Sequence, residues 1–360
     1  MSGWMEFYRG KRVLVTGHTG FKGSWLVRIL ELLGAEVTGY ALEPPTDPSL
    51  FGILDLAHTM DSVTGDIRDL GRLRETFARV KPEVVLHLAA QPIVRASYRD
   101  PVGTFGTNVM GTVHVLECVR ETESVRSFVN VTTDKVYLNR EWEYGYREND
   151  RLDGFDPYSN SKSCSELVTA SYRRSFFGEG GRKCAISTCR AGNVIGGGDF
   201  APDRIIPDCI RAAAAGKPVE VRNPHSTRPY QHVLEPLFFY LRVAKEQAED
   251  PAFAGSYNIG PDDRDCVATG VLADMFCRAW GGGETWVTGN PDGPHEANFL
   301  KLDCSHAKRV FGWAPKMHAG EAVEATVLWS KAWLRGEDMR EVTDRQIRGW
   351  IEKSMEETSG

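Results

Sequence analysis

The chain has 360 residues, of which 41% are hydrophobic and 26% are charged, and its formal net charge is −6. This size and composition are typical of a globular protein with one large core or two domains. The acidic balance and the lack of a basic block argue against a nucleic-acid partner. The longest apolar runs, such as 84–90, are far shorter than a membrane span, so no membrane partner is expected.

Strand-like and helix-like runs alternate through the first half of the chain. The predicted strands comprise residues 12–16, 36–40, 84–89, 127–132 and 184–190. The predicted helices comprise residues 23–33, 68–80, 101–121 and 157–176. This rhythm predicts an α/β fold of the Rossmann type, in which helices cover both faces of a doubly wound parallel sheet. Ligands of such sheets bind at the carboxyl ends of the strands.

The rhythm breaks after residue 191, where glycines and prolines separate shorter elements. Helices are expected at 205–215, 237–247, 268–280, 321–334 and 344–355, and strand segments at 219–222 and 255–260. We therefore expect a smaller C-terminal lobe that folds over the sheet and binds the substrate. Its predicted extent is 191–228 and 263–360, while 1–190 form the Rossmann domain, to which 229–262 return.

Eight cysteines are scattered along the chain, and none forms a Cys-x-x-Cys pair. This usage favours free thiols in a reducing cytoplasm over a disulfide framework or a zinc site. His, Cys, Asp and Glu residues show no spacing typical of metal ligands, so we expect no metal.

A glycine pattern, Gly-x-x-Gly-x-x-Gly, lies between the first predicted strand and the first helix. Glycine allows positive φ and lets the backbone approach a pyrophosphate, and the helix N-terminus attracts that anion. This context predicts a dinucleotide site, whereas a tight turn without a ligand is the alternative interpretation. The predicted cofactor contacts in this turn are Gly17, Thr19, Gly20, Phe21, Lys22 and Gly23.

The cofactor is predicted to be NAD and not NADP. Between Arg28 and Arg68 the chain has neither Lys nor Arg, although a 2′-phosphate would need a cation near the end of the second strand. His18 and Lys22, in the glycine turn, are the two groups that could still serve a 2′-phosphate.

Two carboxylates are candidates for the adenosine end of the cofactor. Glu43 lies at about the distance from the glycine turn that suits a ribose-binding carboxylate, but it precedes two prolines and is as well explained as a loop residue. Asp66 follows a third short strand and could meet the adenine amino group, cap the next helix, or do both.

Tyr158 and Lys162 form a Tyr-x-x-x-Lys pair on one face of a predicted helix. An ammonium group beside a phenol lowers the pKa of the phenol, so the phenolate can remove a proton from a substrate hydroxyl while a hydride leaves for the dinucleotide. Thr132 and Thr133 lie at the end of the predicted strand 127–132, where a hydroxyl can hydrogen-bond the same alcohol, and Thr133 is the predicted catalytic residue.

Asp134 and Lys135 follow this threonine, and a plain alcohol oxidation needs neither of them. A carboxyl group and a second titrating group beside the substrate suit the acid and base of an elimination. The alternative interpretation is a capped strand end with an ion pair on the surface.

Together these motifs resemble the nucleotide-sugar 4,6-dehydratases of the extended short-chain dehydrogenase/reductases. The resemblance extends over nearly the whole chain, and further matching runs lie at 88–92, 190–199, 203–207, 228–236 and 302–313. Thr133–Lys135, the glycine-rich loop after Asn193 and the run 228–232 resemble the branch that acts on CDP-glucose. Relatives that act on dTDP-glucose or GDP-mannose have Glu in place of Lys135, and this Glu removes the proton from sugar carbon 5.

The resemblance implies oxidation at sugar carbon 4, elimination of water across carbons 5 and 6, and return of the hydride to carbon 6. Lys135 would be the base if neutral, or would stabilise the enolate while another group takes the proton. The implied cofactor is NAD, with further contacts from Asp66, Ile67, Ala89, Ala90, Asn108, Tyr158 and Lys162. The implied contacts of the nucleotide-sugar substrate are Gln91, Asn193, Arg204 and Arg228, and the two arginines suit its pyrophosphate.

The resemblance also implies a homodimer in which helices 101–121 and 157–176 pair across the interface, although their apolar residues could equally face the sheet. His232 and His295 are possible neighbours of the substrate, but a structural histidine is the commoner outcome. Three other functions stay open: an NAD-dependent nucleotide-sugar epimerase or simple dehydrogenase, a dehydratase of another nucleotide sugar, and a non-catalytic NAD-binding regulator.

Overall fold

The computed structural model describes residues 3–178, 183–289 and 298–356. Its strands in chain order are β1 (Arg12–Thr16), β2 (Glu36–Ala41), β3 (Asp61–Thr64), β4 (Val84–His87), β5 (Ser127–Thr133), β6 (Ala185–Ala191), β7 (Val194–Ile195), β8 (Val219–Val221), β9 (Thr227–Pro229), β10 (Gln231–His232), β11 (Ser256–Ile259), β12 (Cys266–Ala268) and β13 (Trp286–Thr288). Seven of them form one parallel sheet in the order β3-β2-β1-β4-β5-β6-β11. The order reverses between β1 and β4, which is where a doubly wound sheet opens a ligand crevice.

The α-helices in chain order are α1 (Phe21–Leu32), α2 (Leu50–Ile53), α3 (Leu70–Val80), α4 (Val94–Arg99), α5 (Pro101–Phe105), α6 (Gly111–Glu121), α7 (Pro157–Phe176), α8 (Ile205–Ala214), α9 (Leu234–Glu249), α10 (Thr269–Trp280), α11 (Ser305–Phe311), α12 (Ala319–Leu334) and α13 (Met339–Glu356). The predicted helix 157–176 has the bounds of α7. The predicted helix 101–121 is α5 and α6 joined by a π-helical turn, Gly106–Met110.

Apolar helix faces cover both sides of the sheet. On one side α1, α9 and α13 pack against it, and on the other α3, α6 and α7 do so. The predicted Rossmann-type α/β fold is therefore confirmed. A separate apolar core lies among α8, β8, α10 and α12, and α12 also contacts the first core through Trp329. The division into two domains by residue number stays a prediction.

Register along the sheet aligns the strand ends that carry the site. Thr16 pairs with His87 at the ends of β1 and β4, and Thr133 pairs with Ala191 at the ends of β5 and β6. The loops that follow these four strands consequently emerge at one edge of the sheet.

Candidate functional site

The three glycines of the first turn do three different things. Gly17 has a φ of +77°, and a Cβ there would lie 2.7 Å from the Ala89 nitrogen. At Gly23 a Cβ would lie 2.1 Å from the Gly17 carbonyl oxygen, so helix and turn approach closely only because this residue has no side chain. At Gly20 a Cβ would meet nothing nearer than 3.5 Å. A tight turn, close packing and an open backbone are what a pyrophosphate at a helix N-terminus requires, so these residues fit a dinucleotide.

A cavity of ≈ 810 Å³ opens at this edge of the sheet. It brings together most of the predicted site residues: Gly17, Thr19, Gly20, Phe21, Lys22, Gly23, Asp66, Ile67, Ala89, Ala90, Thr133, Asp134, Lys135, Tyr158, Lys162, Asn193, Arg204 and Arg228. Gln91 and Asn108 are not part of its lining. The predicted cofactor turn, catalytic pair and substrate arginines therefore line one cavity.

Gln91 and Asn108 lie next to the cavity and form hydrogen bonds among the segments of its wall. The Asn108 carboxamide accepts a hydrogen bond from the Gln91 nitrogen at 2.8 Å and donates to the Ser161 hydroxyl at 2.8 Å. The Gln91 side chain donates to Thr104 at 2.9 Å and accepts from the Ile93 nitrogen at 2.6 Å. The geometry therefore gives both residues a role in joining the loop after β4 to α7, and their direct ligand contacts stay predictions.

His18 and Lys22 are the two side chains that could have served the 2′-phosphate of NADP. His18 is buried beneath the turn with its Nε2 2.8 Å from the Ser62 hydroxyl, and burial lowers its pKa to about 4. Lys22 lies close to Lys162 and Asp134 on the catalytic side of the cavity. Burial, and then the charges of Arg204 and Lys162, lower its pKa to about 8.

Asp66 and Glu43 both line the cavity near the ends of β3 and β2. Asp66 binds the Arg68 guanidinium at 2.6 Å and accepts from the Arg68 backbone nitrogen at 2.8 Å. The cap of α3 is Asp69, which accepts from the Arg72 nitrogen, so the expectation that Asp66 caps this helix is wrong. Glu43 accepts a hydrogen bond from Thr64 at 3.1 Å.

Tyr158 is positioned by the start of α7. Asp156 caps the helix by accepting from the Ser159 nitrogen at 3.0 Å, Pro157 occupies its first turn, and Ser97 accepts from the Tyr158 nitrogen at 3.1 Å. These contacts present the phenol to the cavity, as a cap followed by proline at a helix start would suggest.

Burial raises the pKa of Tyr158 to about 12, against a hydrogen bond with Thr133 and the charge of Arg204, which lower it. Lys162 donates instead to the Val131 carbonyl at 3.1 Å, and burial lowers the pKa of Lys162 to about 8. In the protein without the dinucleotide, desolvation outweighs the nearby cations, and the lowering of the Tyr158 pKa by Lys162 stays a prediction.

Asp134 has the most unusual environment of the strand-end residues. β5 ends at Thr133, whose hydroxyl caps a single 3-10 turn by accepting from the Lys135 nitrogen at 3.4 Å. Asp134 is 1% exposed, which rules out the alternative of a surface ion pair. Its Oδ1 accepts from Thr133 at 2.9 Å, and its buried Oδ2 has no partner among the described residues. Burial raises its pKa, against the charge of Lys135 and the hydrogen bond from Thr133.

The predicted substrate arginines, Arg204 and Arg228, line the same cavity. Arg204 donates to Asp199 at 3.3 Å, and Arg228 is 6% exposed and donates to the Thr227 carbonyl at 2.9 Å. Sequence reasoning missed Arg95, which lines the same cavity from α4. Its helix is too short to show a hydrophobic period, so the sequence carried no signal for it.

Two further predictions concern histidines. His232 is fully buried in β10 and does not line the cavity, so it is structural, as is common for a lone histidine. His295 lies outside the described residues.

Within the described ranges no group of three or more His, Cys, Asp and Glu residues is arranged to hold a metal ion. All eight cysteines are free. A search of the described helices found none with the length and apolar character needed to cross a bilayer.

The cavity suits two ligands side by side: a nicotinamide dinucleotide on the glycine turn and an alcohol at Tyr158. This pairing, on a doubly wound sheet, defines a short-chain dehydrogenase/reductase of the extended type. More narrowly, the chain belongs to the GDP-mannose 4,6-dehydratase family, whose family model matches residues 14–326. The predicted membership of the nucleotide-sugar dehydratases is thereby confirmed, and NAD is the cofactor of this family.

Individual relatives agree with this family. A CDP-glucose 4,6-dehydratase of Salmonella typhimurium is 49% identical over 96% of this chain and 98% of its own length. A dTDP-glucose 4,6-dehydratase of the same species is 25% identical over 96% of this chain and 99% of its own length. The crystal structure of a UDP-glucuronic acid 4-epimerase from Bacillus cereus, with UDP-glucuronic acid and NAD, has a TM-score of 0.77 at 22% identity and covers 89% of this chain and 99% of that one. That last likeness shows a shared fold.

Proposed function

We propose that this protein dehydrates CDP-glucose to CDP-4-dehydro-6-deoxy-glucose. Similarity to the Salmonella CDP-glucose 4,6-dehydratase, at 49% identity over nearly the whole chain, supports the substrate. The observation that carries the reaction type is Asp134, a buried carboxyl group with a raised pKa and an unpartnered oxygen in the same cavity as Tyr158. A neutral carboxyl group is the acid that an elimination needs and that an epimerisation does not.

Oxidation at carbon 4 is assigned to three residues. Tyr158 takes the proton of the 4-hydroxyl, Thr133 orients that hydroxyl and the phenol by hydrogen bonding, and Lys162 supplies positive charge behind them. When bound, NAD would accept the hydride from carbon 4, return it to carbon 6, and place a positive charge beside the phenol. That added charge opposes the desolvation that raises the pKa of Tyr158.

Elimination follows because a ketone at carbon 4 acidifies the proton on carbon 5. Asp134 protonates the departing 6-hydroxyl through its free oxygen. Lys135 faces the same cavity and acts at carbon 5, either as the base or as the cation that stabilises the enolate while another group takes the proton. Return of the hydride to carbon 6 and of a proton to carbon 5 would leave a bound NAD oxidised, so that loss of water would be the only net change.

The substrate's pyrophosphate is assigned to Arg204 and Arg228, with Asn193 as an additional donor. One guanidinium group can donate two parallel hydrogen bonds to the oxygens of a phosphate. Both arginines line the cavity. We propose on this basis that residues 191–228 and 263–360 form the nucleotide-sugar lobe, and that 1–190 with 229–262 form the NAD-binding domain.

The test uses purified protein, CDP-glucose and two variants. The unchanged chain should form the 4-keto-6-deoxy sugar, seen by NMR, without net NADH. Asp134→Asn keeps the shape of the side chain but removes its acidity, so elimination should fall by a factor of about 10²–10⁴ while carbon 4 is still oxidised. Tyr158→Phe should lose both steps.

Other outcomes would assign another function. Stoichiometric NADH would indicate a dehydrogenase, and inversion at carbon 4 without loss of water would indicate an epimerase. Turnover of dTDP-glucose or GDP-mannose in preference to CDP-glucose would show that cytosine is not the nucleobase of the substrate. If no nucleotide sugar raises thermal stability in the presence of NAD, the chain is a non-catalytic NAD-binding regulator.

We propose a homodimer that forms through α5, α6 and α7, including the π turn. Large apolar side chains on these segments are exposed in the single chain: Val102, Met110, Leu167 and Phe176. Light scattering should give twice the chain mass, and Leu167→Glu should give a monomer. The eight free thiols support placing the enzyme in the reducing cytoplasm.

A further inference from the structure

Glu166 lies behind the catalytic pair, one helical turn beyond Lys162 on α7. It is 2% exposed, and both of its carboxylate oxygens are engaged by neighbouring strands. Oε1 accepts from the Thr132 hydroxyl at 2.5 Å, and Oε2 accepts from Thr188 at 2.7 Å and from Arg190 at 2.8 Å. The spacing of four residues puts Tyr158, Lys162 and Glu166 along one face of the helix.

Arg190 is the cation that Glu166 neutralises. Its guanidinium also donates to the Tyr137 hydroxyl at 2.7 Å and to the Glu148 carbonyl at 2.9 Å, and it lies over the Tyr137 ring. Burial alone would raise the pKa of Glu166, but Arg190 and the three hydrogen bonds outweigh it, and the pKa is lowered. These contacts fix the Glu166 side chain and favour its ionised form.

Lys162 lies one helical turn from this anion on α7, in surroundings that otherwise disfavour its positive charge. Lys22 of α1 repels its ammonium group, His87 of β4 is buried near it and neutral, and Arg190 lies beyond Glu166. Burial lowers the pKa of Lys162, and Glu166 is the charge that raises it. The Val131 carbonyl, which accepts from Lys162, precedes Thr132, which donates to Glu166. One stretch of β5 therefore holds both side chains.

We propose that Glu166 is a positioning residue for the reaction: its buried carboxylate, fixed by Thr132, Thr188 and Arg190, places negative charge one helical turn behind Lys162 and so supports that ammonium group beside the cavity. The structural part of this proposal is independent of substrate, and its effect on turnover rests on the dehydratase function proposed above.

The experiment measures the titration of Lys162 directly, by NMR of the chain labelled with ¹³C at lysine Cε, with Lys162→Met to assign the signal. Glu166→Gln removes the anion and leaves Arg190 uncompensated, so the pKa of Lys162 should fall by about one unit or more. Arg190→Met removes the competing cation, so the pKa should stay or rise. Opposite effects of two neighbouring substitutions distinguish an electrostatic role from simple loss of packing.

A matched control is Glu235→Gln. Glu235 is also buried, but it accepts from the backbone nitrogens of Lys316 and Met317, away from the cavity. This variant should lower stability without moving the Lys162 signal. If Glu166→Gln does not fold, Glu166→Gln combined with Arg190→Met removes both buried charges and should still lower the pKa of Lys162, because the nearer charge is lost.

The same variants are then assayed against pH. In Glu166→Gln the alkaline limb of the kcat profile should move to lower pH, by as much as the pKa of Lys162 falls by NMR. Glu166→Asp, which keeps the carboxylate, should return this limb to the pH of the unchanged protein. An unchanged Lys162 titration in Glu166→Gln, or a fall in both single variants, would overturn the proposal. Absence of turnover in the unchanged chain would reject the dehydratase function, while the NMR result would still decide the role of Glu166.

Discussion

Replacing Gly20 and Gly23 by alanine separates binding of the dinucleotide from stability of the turn. At Gly23 the new Cβ would lie 2.1 Å from the Gly17 carbonyl oxygen, whereas an ordinary contact begins at 3.4 Å. Helix α1 must therefore move by about 1.3 Å, the difference between these distances. Overpacking of this kind costs about 1–3 kcal/mol, so Gly23→Ala should lose stability and cofactor affinity together.

Gly20→Ala should behave differently. The backbone there has φ −80° and ψ 170°, which alanine adopts without strain, and the new Cβ would lie 3.5 Å from its nearest neighbour. Stability should change by no more than about 0.5 kcal/mol. The methyl group would stand where the pyrophosphate must approach, so NAD affinity should fall at least about tenfold, or about 1.4 kcal/mol.

Urea unfolding and NAD titration calorimetry on both variants give the two quantities. The unchanged protein provides the reference for each. If Gly20→Ala binds NAD as tightly as the unchanged protein, the pyrophosphate does not pass over Gly20 and the assigned cofactor site is wrong. If Gly23→Ala is as stable as the unchanged protein, the turn is looser than the structure indicates.

Two further predictions concern buried charge. Lys22 has a pKa of about 8 in the folded protein against 10.5 in the unfolded chain, so its charge destabilises the fold fully below pH 8 and ceases to do so above pH 10.5. At pH 7 the Lys22→Met variant should therefore be more stable than the unchanged protein. Thermal unfolding should show this difference in stability fading between pH 8 and 10.5. A difference that does not depend on pH would contradict the prediction. Asp344 holds Arg28 through two bonds of 2.6 Å between α13 and α1, so Asp344→Asn should lower the free energy of unfolding by about 2 kcal/mol. Hydrogen exchange should then increase in α13, and unchanged exchange there would show that the pair adds nothing.

The chemical character of the site could be predicted from short patterns because each depends on local geometry. Gly17, Gly20 and Gly23 have roles set by the strand–turn–helix context, and the spacing of four between Tyr158 and Lys162 sets their common helix face. The strands 12–16 and 127–132 were recognisable because strands buried on both faces form continuous apolar runs.

Burial and partner choice, in contrast, depend on residues far apart in the chain. Whether Asp134 is a surface ion or a buried acid depends on distant segments that pack around it, such as the one that carries Arg228. The same is true of Lys162, whose ammonium donates to the Val131 carbonyl of β5. The chain's pattern of residues dictated the Rossmann fold, the glycine turn and the candidate reacting groups, because periodicity and helix spacing are local properties. Only the assembled tertiary structure set the protonation states of those groups, because desolvation arises when distant segments exclude water together.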